Sequence, residues 1–169
     1  WLQEDWLRER RLSKRWSWTI WRPPVIFGHA LGSPMNVLAA IGAYAAVRKA
    51  EGKPFSYPGG PAGPLDGVDA RVLALAFEWA AGASEARDEI FNVSNGDVFV
   101  WENVWDTLAD VLGVEAGDPE PQSLAESMPA RAGVWEEIVH RHGLEAPSLD
   151  RLVGDSFVYA DMLFATGRE

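Results

Sequence analysis

Cysteine is absent from this sequence of 169 residues. Its absence excludes disulfides, thiol catalysis and cysteine-based zinc sites, and it is typical of a reducing cytoplasm, where we expect the protein to be located. Basic residues are also few, since 15 Lys and Arg against 25 Asp and Glu give a net charge of −10. This charge disfavours nucleic acid and anionic membranes as partners. No apolar run approaches the ~20 residues of a membrane-spanning helix.

Complete catalytic motifs are missing as well. The sequence contains neither Gly-x-Gly-x-x-Gly nor Gly-x-Ser-x-Gly. His140 and His142 are two positions apart on a predicted helix and point in different directions, so they cannot bind one metal ion together. We therefore assign no catalytic residue and no metal ligand in this chain.

Apolar residues make up 47% of the chain and include nine tryptophans, enough for a sizeable core. Periodicity and capping residues predict helices over 1–13, 36–51, 70–82, 101–112, 131–142 and 148–164, the last broken at Gly154. Strands are predicted over 16–21 and, short and buried, over 90–93, with a further short strand at 55–57 in a Pro/Gly loop over 53–67. The helix over 70–82 is apolar nearly all round, which predicts that it is buried.

The segment from Arg22 to Asn36 is the best candidate for a binding site. It follows the predicted strand over 16–21, which two prolines terminate because neither can donate to a sheet. Its glycines allow the backbone to turn, and Asn36 opens the next helix. Open α/β sheets bind ligands at the carboxyl ends of their strands, so we predict an α/β fold with a ligand-binding loop over 22–36.

Several stretches of the sequence together resemble one protein family. In chain order they are Trp1-Leu2-Gln3-Glu4-Asp5, Arg22-Pro23-Pro24-Val25-Ile26-Phe27-Gly28, Ser33-Pro34-Met35-Asn36 and Phe91-Asn92-Val93-Ser94-Asn95-Gly96-Asp97-Val98-Phe99. They are similar to the progesterone 5β-reductase/iridoid synthase-like branch of the extended short-chain dehydrogenases/reductases, whose bacterial members are often named NAD-dependent epimerase/dehydratase. The likeness spans nearly the whole chain.

The resemblance implies the carboxyl-terminal part of an NAD(P)-binding Rossmann-type fold with a mostly helical substrate-binding lobe. It divides the chain into the end of the Rossmann domain (1–28), the cofactor and substrate loop with its helix (29–67), the last Rossmann helix and strand (68–97) and the helical lobe (98–169). The family's catalytic Tyr lies just before the segment that matches Trp1, and its catalytic Lys and glycine-rich loop lie further upstream. We therefore expect the chain to be truncated at both ends and inactive by itself.

Carried over residue by residue, the resemblance implies a cofactor site in this loop. Ile26 would contact the nicotinamide through its backbone, and Ser33, Pro34 and Met35 would lie along the adjoining ribose and phosphate. Met35 would also line the substrate pocket. Val25 would line it too, but plant members have Asn there, so the plant steroid or monoterpenoid substrates are not assumed.

The expected activity of the parent protein is reduction of a small apolar enone or carbonyl compound by NADPH, with NADH as the alternative cofactor and a homodimer as the assembly to consider. Two other functions stay open: a sugar-nucleotide epimerase or dehydratase of the same fold, and a non-catalytic binding or dimerisation module. The acidic lobe over 101–169, rich in Trp and Leu, favours an apolar substrate over a diphosphate. A Tyr immediately before Trp1 would support the enzyme, and a Phe would support the module.

Overall fold

A computed structural model describes residues 2–30, 33–145 and 148–165. Its helices are α1 (Leu2–Arg11), α2 (Val37–Ala50), α3 (Ala70–Gly82), α4 (Trp101–Leu112), α5 (Leu124–Ser127), α6 (Ala132–His142), α7 (Leu149–Val153) and α8 (Ser156–Phe164). Its strands are β1 (Thr19–Arg22), β2 (Val25–Phe27), β3 (Phe55–Ser56), β4 (Leu65–Asp69), β5 (Glu89–Asn92), β6 (Val98–Phe99) and β7 (Ala116–Gly117). No helix in these ranges is long and apolar enough to cross a membrane.

The chain divides into two compact units. The first consists of Trp1–Ile26 and Asp66–Asp97, and the second of Phe27–Leu65 and Val98–Glu169. In the first unit, β1 and β5 form a parallel pair whose register runs from Thr19 opposite Glu89 to Arg22 opposite Asn92. Trp21 of β1 stacks on Phe91 with ring centroids 5.3 Å apart, and this aromatic contact holds the two strands together on one face.

The strand predicted over 16–21 begins three residues later than expected. Residues before Thr19 have no ladder partner, because β5 itself begins at Glu89. The residue before it, Asp88, has a φ of 61° and turns the chain. The N–H of Asp88 donates to the carbonyl oxygen of Trp18 at 2.7 Å. This bond joins the residue before β5 to the residue before β1, and the strand pair begins only after it. The strand predicted over 90–93 is likewise shifted, and it is half-buried rather than buried.

The prediction that the helix over 70–82 is buried is wrong. The helix is present as α3, with the Asp69 side chain accepting a hydrogen bond from the N–H of Arg71 at 2.8 Å, but only Leu73 is buried. Leu75 is 64% exposed and Phe77 is 50% exposed. A helix that is apolar on all sides is buried only where a second layer covers its outer face. Within the described residues, no such layer covers the outer face of α3. The predicted amphipathic helix over 1–13 is α1, which buries none of its residues; Trp1 lies outside the described residues.

The second unit contains most of the core. Helix α2 supplies Val37, Ala40, Ile41, Tyr44 and Val47, and it packs against α4, α6, α7 and α8. The predicted short strand at 55–57 is β3, which pairs in parallel with β7. The starts predicted for α2 and α3 agree with the observed ones, where a side chain caps the helix: Asn36 accepts from the N–H of Ala39 at 3.2 Å, and Asp69 accepts from the N–H of Arg71 at 2.8 Å.

Four short strands, β2, β4, β6 and β7, were not predicted. Strand β2 lies inside the predicted loop over 22–36, and β4 overlaps the end of the predicted loop over 53–67. Leu-Asp-Gly-Val-Asp in β4 has little strand propensity, so its conformation depends on its partners rather than on local preference. Helix α4 buries Trp101, Trp105 and Ala109, whereas Val111 is 78% exposed.

Candidate functional site

Val25 and Ile26 lie in β2, not in a loop as the sequence suggested. The side chain of Val25 is half-buried, while Ile26 is 44% exposed. A strand fixes the backbone of Ile26 more firmly than a loop would, and an exposed apolar side chain leaves that stretch open to a flat ligand. Both residues belong to the first unit.

Ser33, Pro34 and Met35 belong to the second unit and stand immediately before α2. Pro34 and Met35 are exposed, Met35 by 61%. The Ser33 hydroxyl accepts a long hydrogen bond of 3.4 Å from the N–H of Met35, which curves the chain into a tight segment. The structure thus brings these three residues together on an open surface at the start of a helix.

Ser156, which the sequence analysis did not single out, holds this segment in place. Its hydroxyl donates to the carbonyl oxygen of Ser33 at 2.7 Å and accepts from the N–H of Asn36 at 3.1 Å. Ser156 is fully buried at the first position of α8. Nothing in its own stretch of sequence signals this role, since its partners are 120 or more positions away.

Asn36 closes the segment from its other end. Its side-chain oxygen caps α2 through Ala39, and its Nδ2 donates to the carbonyl oxygen of Ala30 at 2.6 Å. The first turn of α2 contains no acidic residue. A helix start carries a partial positive charge, so a 14-residue helix without acidic groups in that turn is compatible with an anionic group nearby.

An aromatic cluster supports the chain just after β2. Phe27 packs edge-on against Trp101 with centroids 6.1 Å apart, and Trp101 packs against Phe164 at 5.3 Å. Trp101 is buried, and so is Phe164 at the end of α8. The same helix, α8, therefore anchors both ends of the stretch from Phe27 to Asn36, through Phe164 at one end and Ser156 at the other.

A cavity of about 330 Å³ lies elsewhere in the second unit. It is lined by Pro58, Gly59, Pro121, Gln122, Ser123, Asp161, Phe164 and Ala165. The carboxylate of Asp161 is already occupied there, because it accepts from the N–H groups of Leu124 and Ala125 at 2.8 and 3.0 Å. None of the predicted site residues lines this cavity, so the candidate site before α2 is an open surface separate from it. The described residues contain no cluster of three or more His, Asp or Glu side chains that could hold a metal ion.

Several curated proteins similar to this chain are named (S)-8-oxocitronellyl enol synthase. The (S)-8-oxocitronellyl enol synthase of Antirrhinum majus is 38% identical over 154 residues, which is 88% of this chain and 39% of that protein. The enzyme of the same name from Catharanthus roseus is 34% identical over 170 residues, covering 96% of this chain and 43% of its own length. A third, from Nepeta racemosa, is 39% identical over 156 residues, with coverages of 88% and 40%. The chain thus spans about two fifths of the length of these relatives.

Two solved structures with a similar fold contain a bound nicotinamide cofactor. UDP-glucose 4-epimerase of Thermus thermophilus, in complex with NAD, matches 93% of this chain and 51% of its own with a TM-score of 0.50 and 21% identity. RMD of Pseudomonas aeruginosa, in complex with NADPH, matches 70% of this chain and 41% of its own with a TM-score of 0.55 and 20% identity. These matches confirm the predicted α/β fold of Rossmann type. No protein-family model matches the chain.

Proposed function

The chain is a homologue of the (S)-8-oxocitronellyl enol synthases, as its motifs predicted, and we propose that it supplies the nicotinamide-side and substrate-binding part of an NAD(P)H-dependent reductase. The single observation that carries this proposal is identity of 34–39% over most of the chain to proteins that share this name. The catalytic Tyr and Lys of the reductase would come from sequence outside these 169 residues.

The name of the relatives supports conjugate reduction as the reaction class. NADPH, or NADH, would supply a hydride to the β-carbon of an enone or enal. The two electrons of the carbon–carbon π bond then move toward the carbonyl oxygen, and protonation of that oxygen gives an enol. Stabilising the developing negative charge on the oxygen is the usual task of fixed hydrogen-bond donors in such sites.

The residues of this chain would bind and orient rather than transfer protons. The backbone of Ile26, fixed in β2, would face the nicotinamide, and the segment Ser33 to Met35 would follow the adjoining ribose and phosphate. Their exposure and the absence of acidic groups from the first turn of α2 fit a flat, anionic nucleotide. Met35 would present an adaptable apolar surface to the substrate. Val25 has no hydrogen-bond donor on its side chain, so it would favour an apolar part of the substrate.

The epimerase alternative has less support. The matched UDP-glucose 4-epimerase of Thermus thermophilus is 21% identical to this chain, which supports a shared fold and carries no argument about the substrate. The enol synthases are 34–39% identical over a similar length. The expected cytoplasmic location, the homodimer and the preference for NADPH over NADH stay predictions.

The experiment uses the full-length protein that contains this chain, with NADPH or NADH and a panel of small enones, enals and UDP-sugars. We expect oxidation of the nicotinamide with an enone or enal and none with a UDP-sugar. Met35→Ala should raise the KM for the enone about tenfold, since burying a Met side chain contributes roughly 1.5–3 kcal/mol. Met162→Ala is the matched control, because Met162 is exposed to a similar degree, 66%. Turnover of a UDP-sugar without net oxidation of the nicotinamide would contradict the proposal.

A further inference from the structure

One buried hydroxyl, that of Ser156, satisfies two backbone groups of the candidate cofactor segment. It donates to the carbonyl oxygen of Ser33 at 2.7 Å and accepts from the N–H of Asn36 at 3.1 Å. These groups flank Pro34 and Met35, so the two bonds fix the separation of the segment's ends. Ser156 itself is 0% exposed, which excludes water as a competing partner for the hydroxyl.

The other described hydrogen bonds of the segment are concentrated at Asn36. The Asn36 side chain donates to Ala30 at 2.6 Å and accepts from the N–H of Ala39 at 3.2 Å, and its carbonyl oxygen accepts from the N–H of Ala40 at 3.3 Å. Besides its bond to Ser156, Ser33 has only the long bond of 3.4 Å from the N–H of Met35 among the described hydrogen bonds. Pro34 and Met35 are exposed, Met35 by 61%, so their side chains contribute little packing to anchor them. The position of Ser33 relative to the start of α2 therefore depends on Ser156.

The Ser156 hydroxyl makes no hydrogen bond within its own helix. Asp155 is the N-cap residue of α8 and makes no side-chain capping bond, and both bonds of the Ser156 side chain go to the segment before α2. The rest of α8 is anchored by apolar contacts, with Phe157, Ala160 and Phe164 buried. The hydroxyl is thus directed at the candidate site rather than at the stability of its own helix.

We propose that Ser156 is a positioning residue of the reductase, which holds Ser33, Pro34 and Met35 in the conformation that receives the nicotinamide nucleotide. The proposal rests on the function proposed above. Ser156 touches neither cofactor nor substrate; it acts through the backbone of the segment. Without it, the segment samples several conformations, and the nucleotide must select one of them at a cost in affinity.

The test compares Ser156→Ala with Ser123→Ala in the full-length protein. Ser123 is a matched control, because its hydroxyl also makes two hydrogen bonds and one of them also reaches α8, through Asp161 at 2.7 Å. The first readout is hydrogen exchange of the peptide containing Asn36, whose N–H loses its acceptor in Ser156→Ala. The second is the dissociation constant for NADPH, together with KM and kcat for the enone.

We expect Ser156→Ala to speed exchange of the Asn36 amide and to raise the dissociation constant for NADPH about tenfold, with a smaller change in kcat. Ser123→Ala should leave both unchanged. If Ser156→Ala does not fold, Ser156→Cys carries the test, since it keeps the size of the side chain with a weaker donor and should give a smaller shift in the same direction.

The outcomes separate the two proposals. Unchanged exchange at Asn36, or an unchanged dissociation constant in a folded variant, would overturn the positioning role alone. Faster exchange in the variant, combined with failure of the wild-type protein to bind either nucleotide, would overturn the proposed function and the positioning role with it. A parallel loss of affinity in Ser123→Ala would also overturn the proposal, because it would indicate a general effect of weakening α8.

Discussion

Nη2 of Arg48 lies 2.7 Å from Oε2 of Glu120. The Arg48 side chain is only 4% exposed, whereas the Glu120 side chain is 55% exposed. Nε of Arg48 also donates to the carbonyl oxygen of Pro54 at 2.7 Å. The guanidinium is therefore a buried charge whose compensation comes from a mostly exposed carboxylate. The two partners therefore differ in what their removal costs. Removing the carboxylate would leave a buried cation without a counter-charge, whereas removing the cation would leave a hydrated anion.

This asymmetry gives the first prediction. Glu120→Ala should lower the free energy of unfolding by about 2 kcal/mol, more than its exposure suggests, because it leaves Arg48 buried without a counter-charge. Glu137→Ala, at an exposed position of α6, should change it by less than about 0.5 kcal/mol. The double variant Arg48→Met/Glu120→Ala should be less destabilised than the sum of its single variants. Urea unfolding of Glu120→Ala, Arg48→Met and the double variant measures this, and strict additivity would contradict it.

Trp105 gives the second prediction. Its ring stacks on Phe55 with centroids 4.5 Å apart, and its Nε1 donates to the carbonyl oxygen of the same residue at 3.1 Å. Trp105→Phe keeps an aromatic ring but removes the hydrogen bond to that carbonyl oxygen, so the free energy of unfolding should fall by about 0.5–1.5 kcal/mol. Trp16→Phe, at a position that is 40% exposed, is the control and should have little effect. Equal midpoints of thermal unfolding for the two variants would show that the hydrogen bond contributes nothing.

The helices were predictable from the sequence because their signals are local. Asn36 and Ser148 each accept from a backbone N–H three residues ahead, and Gly154, with a φ of 52°, breaks the last helical stretch at the expected position. The strands were harder, because β2 and β4 are short and their residues acquire a partner only through distant parts of the chain. The exposure of α3 was unpredictable for a related reason, since hydrophobic periodicity indicates which residues avoid water and not what covers them.

The candidate site was predictable only through the resemblance. Residue chemistry alone indicated a binding loop over 22–36, and the motif Ser33-Pro34-Met35-Asn36 then suggested which of its residues face a nucleotide. Ser156 escaped both routes. It is an ordinary serine in a helical stretch, and its contact with Ser33 joins positions 123 residues apart, which one sequence cannot reveal. Whether Ile26 and Met35 face a cofactor stays a prediction.

Tyr44 gives the third prediction, which concerns pH. Burial raises the pKa of Tyr44 to about 12, with Arg48 partly opposing the shift, while an unfolded tyrosine titrates near ~10. Between about pH 10 and about pH 12 the unfolded chain loses this proton and the folded protein keeps it, so stability falls as pH rises through that range. In the Tyr44→Phe variant, the loss of stability that comes from this proton should disappear. Unfolding free energies measured across that range test it, and equal slopes for the variant and the wild type would refute the assignment.

Gly154 and Gly42 give the fourth prediction. Gly154 has backbone angles that other residues rarely adopt, whereas Gly42 lies within a regular helix. Gly154 separates α7 from α8 with φ 52° and ψ −134°, a conformation that is essentially restricted to glycine. A Cβ there has room, its nearest neighbour being the carbonyl oxygen of Asp150 at 3.8 Å, so the cost of Gly154→Ala is conformational strain of about 1–3 kcal/mol. Gly42 lies in the middle of α2, and a Cβ added there meets no described atom within 4 Å.

Gly42→Ala should therefore stabilise the protein by about 0.5–1 kcal/mol, since it reduces the entropy of the unfolded chain and suits a helix. The two substitutions add the same methyl group at open positions, so a difference in sign isolates the effect of the backbone angles from that of packing. Thermal and urea unfolding should give a lower midpoint for Gly154→Ala and a higher one for Gly42→Ala than for the wild type. Stabilisation by Gly154→Ala would mean that the chain between α7 and α8 can adopt ordinary angles, and the start of α8, with Ser156, would then not be fixed by this turn.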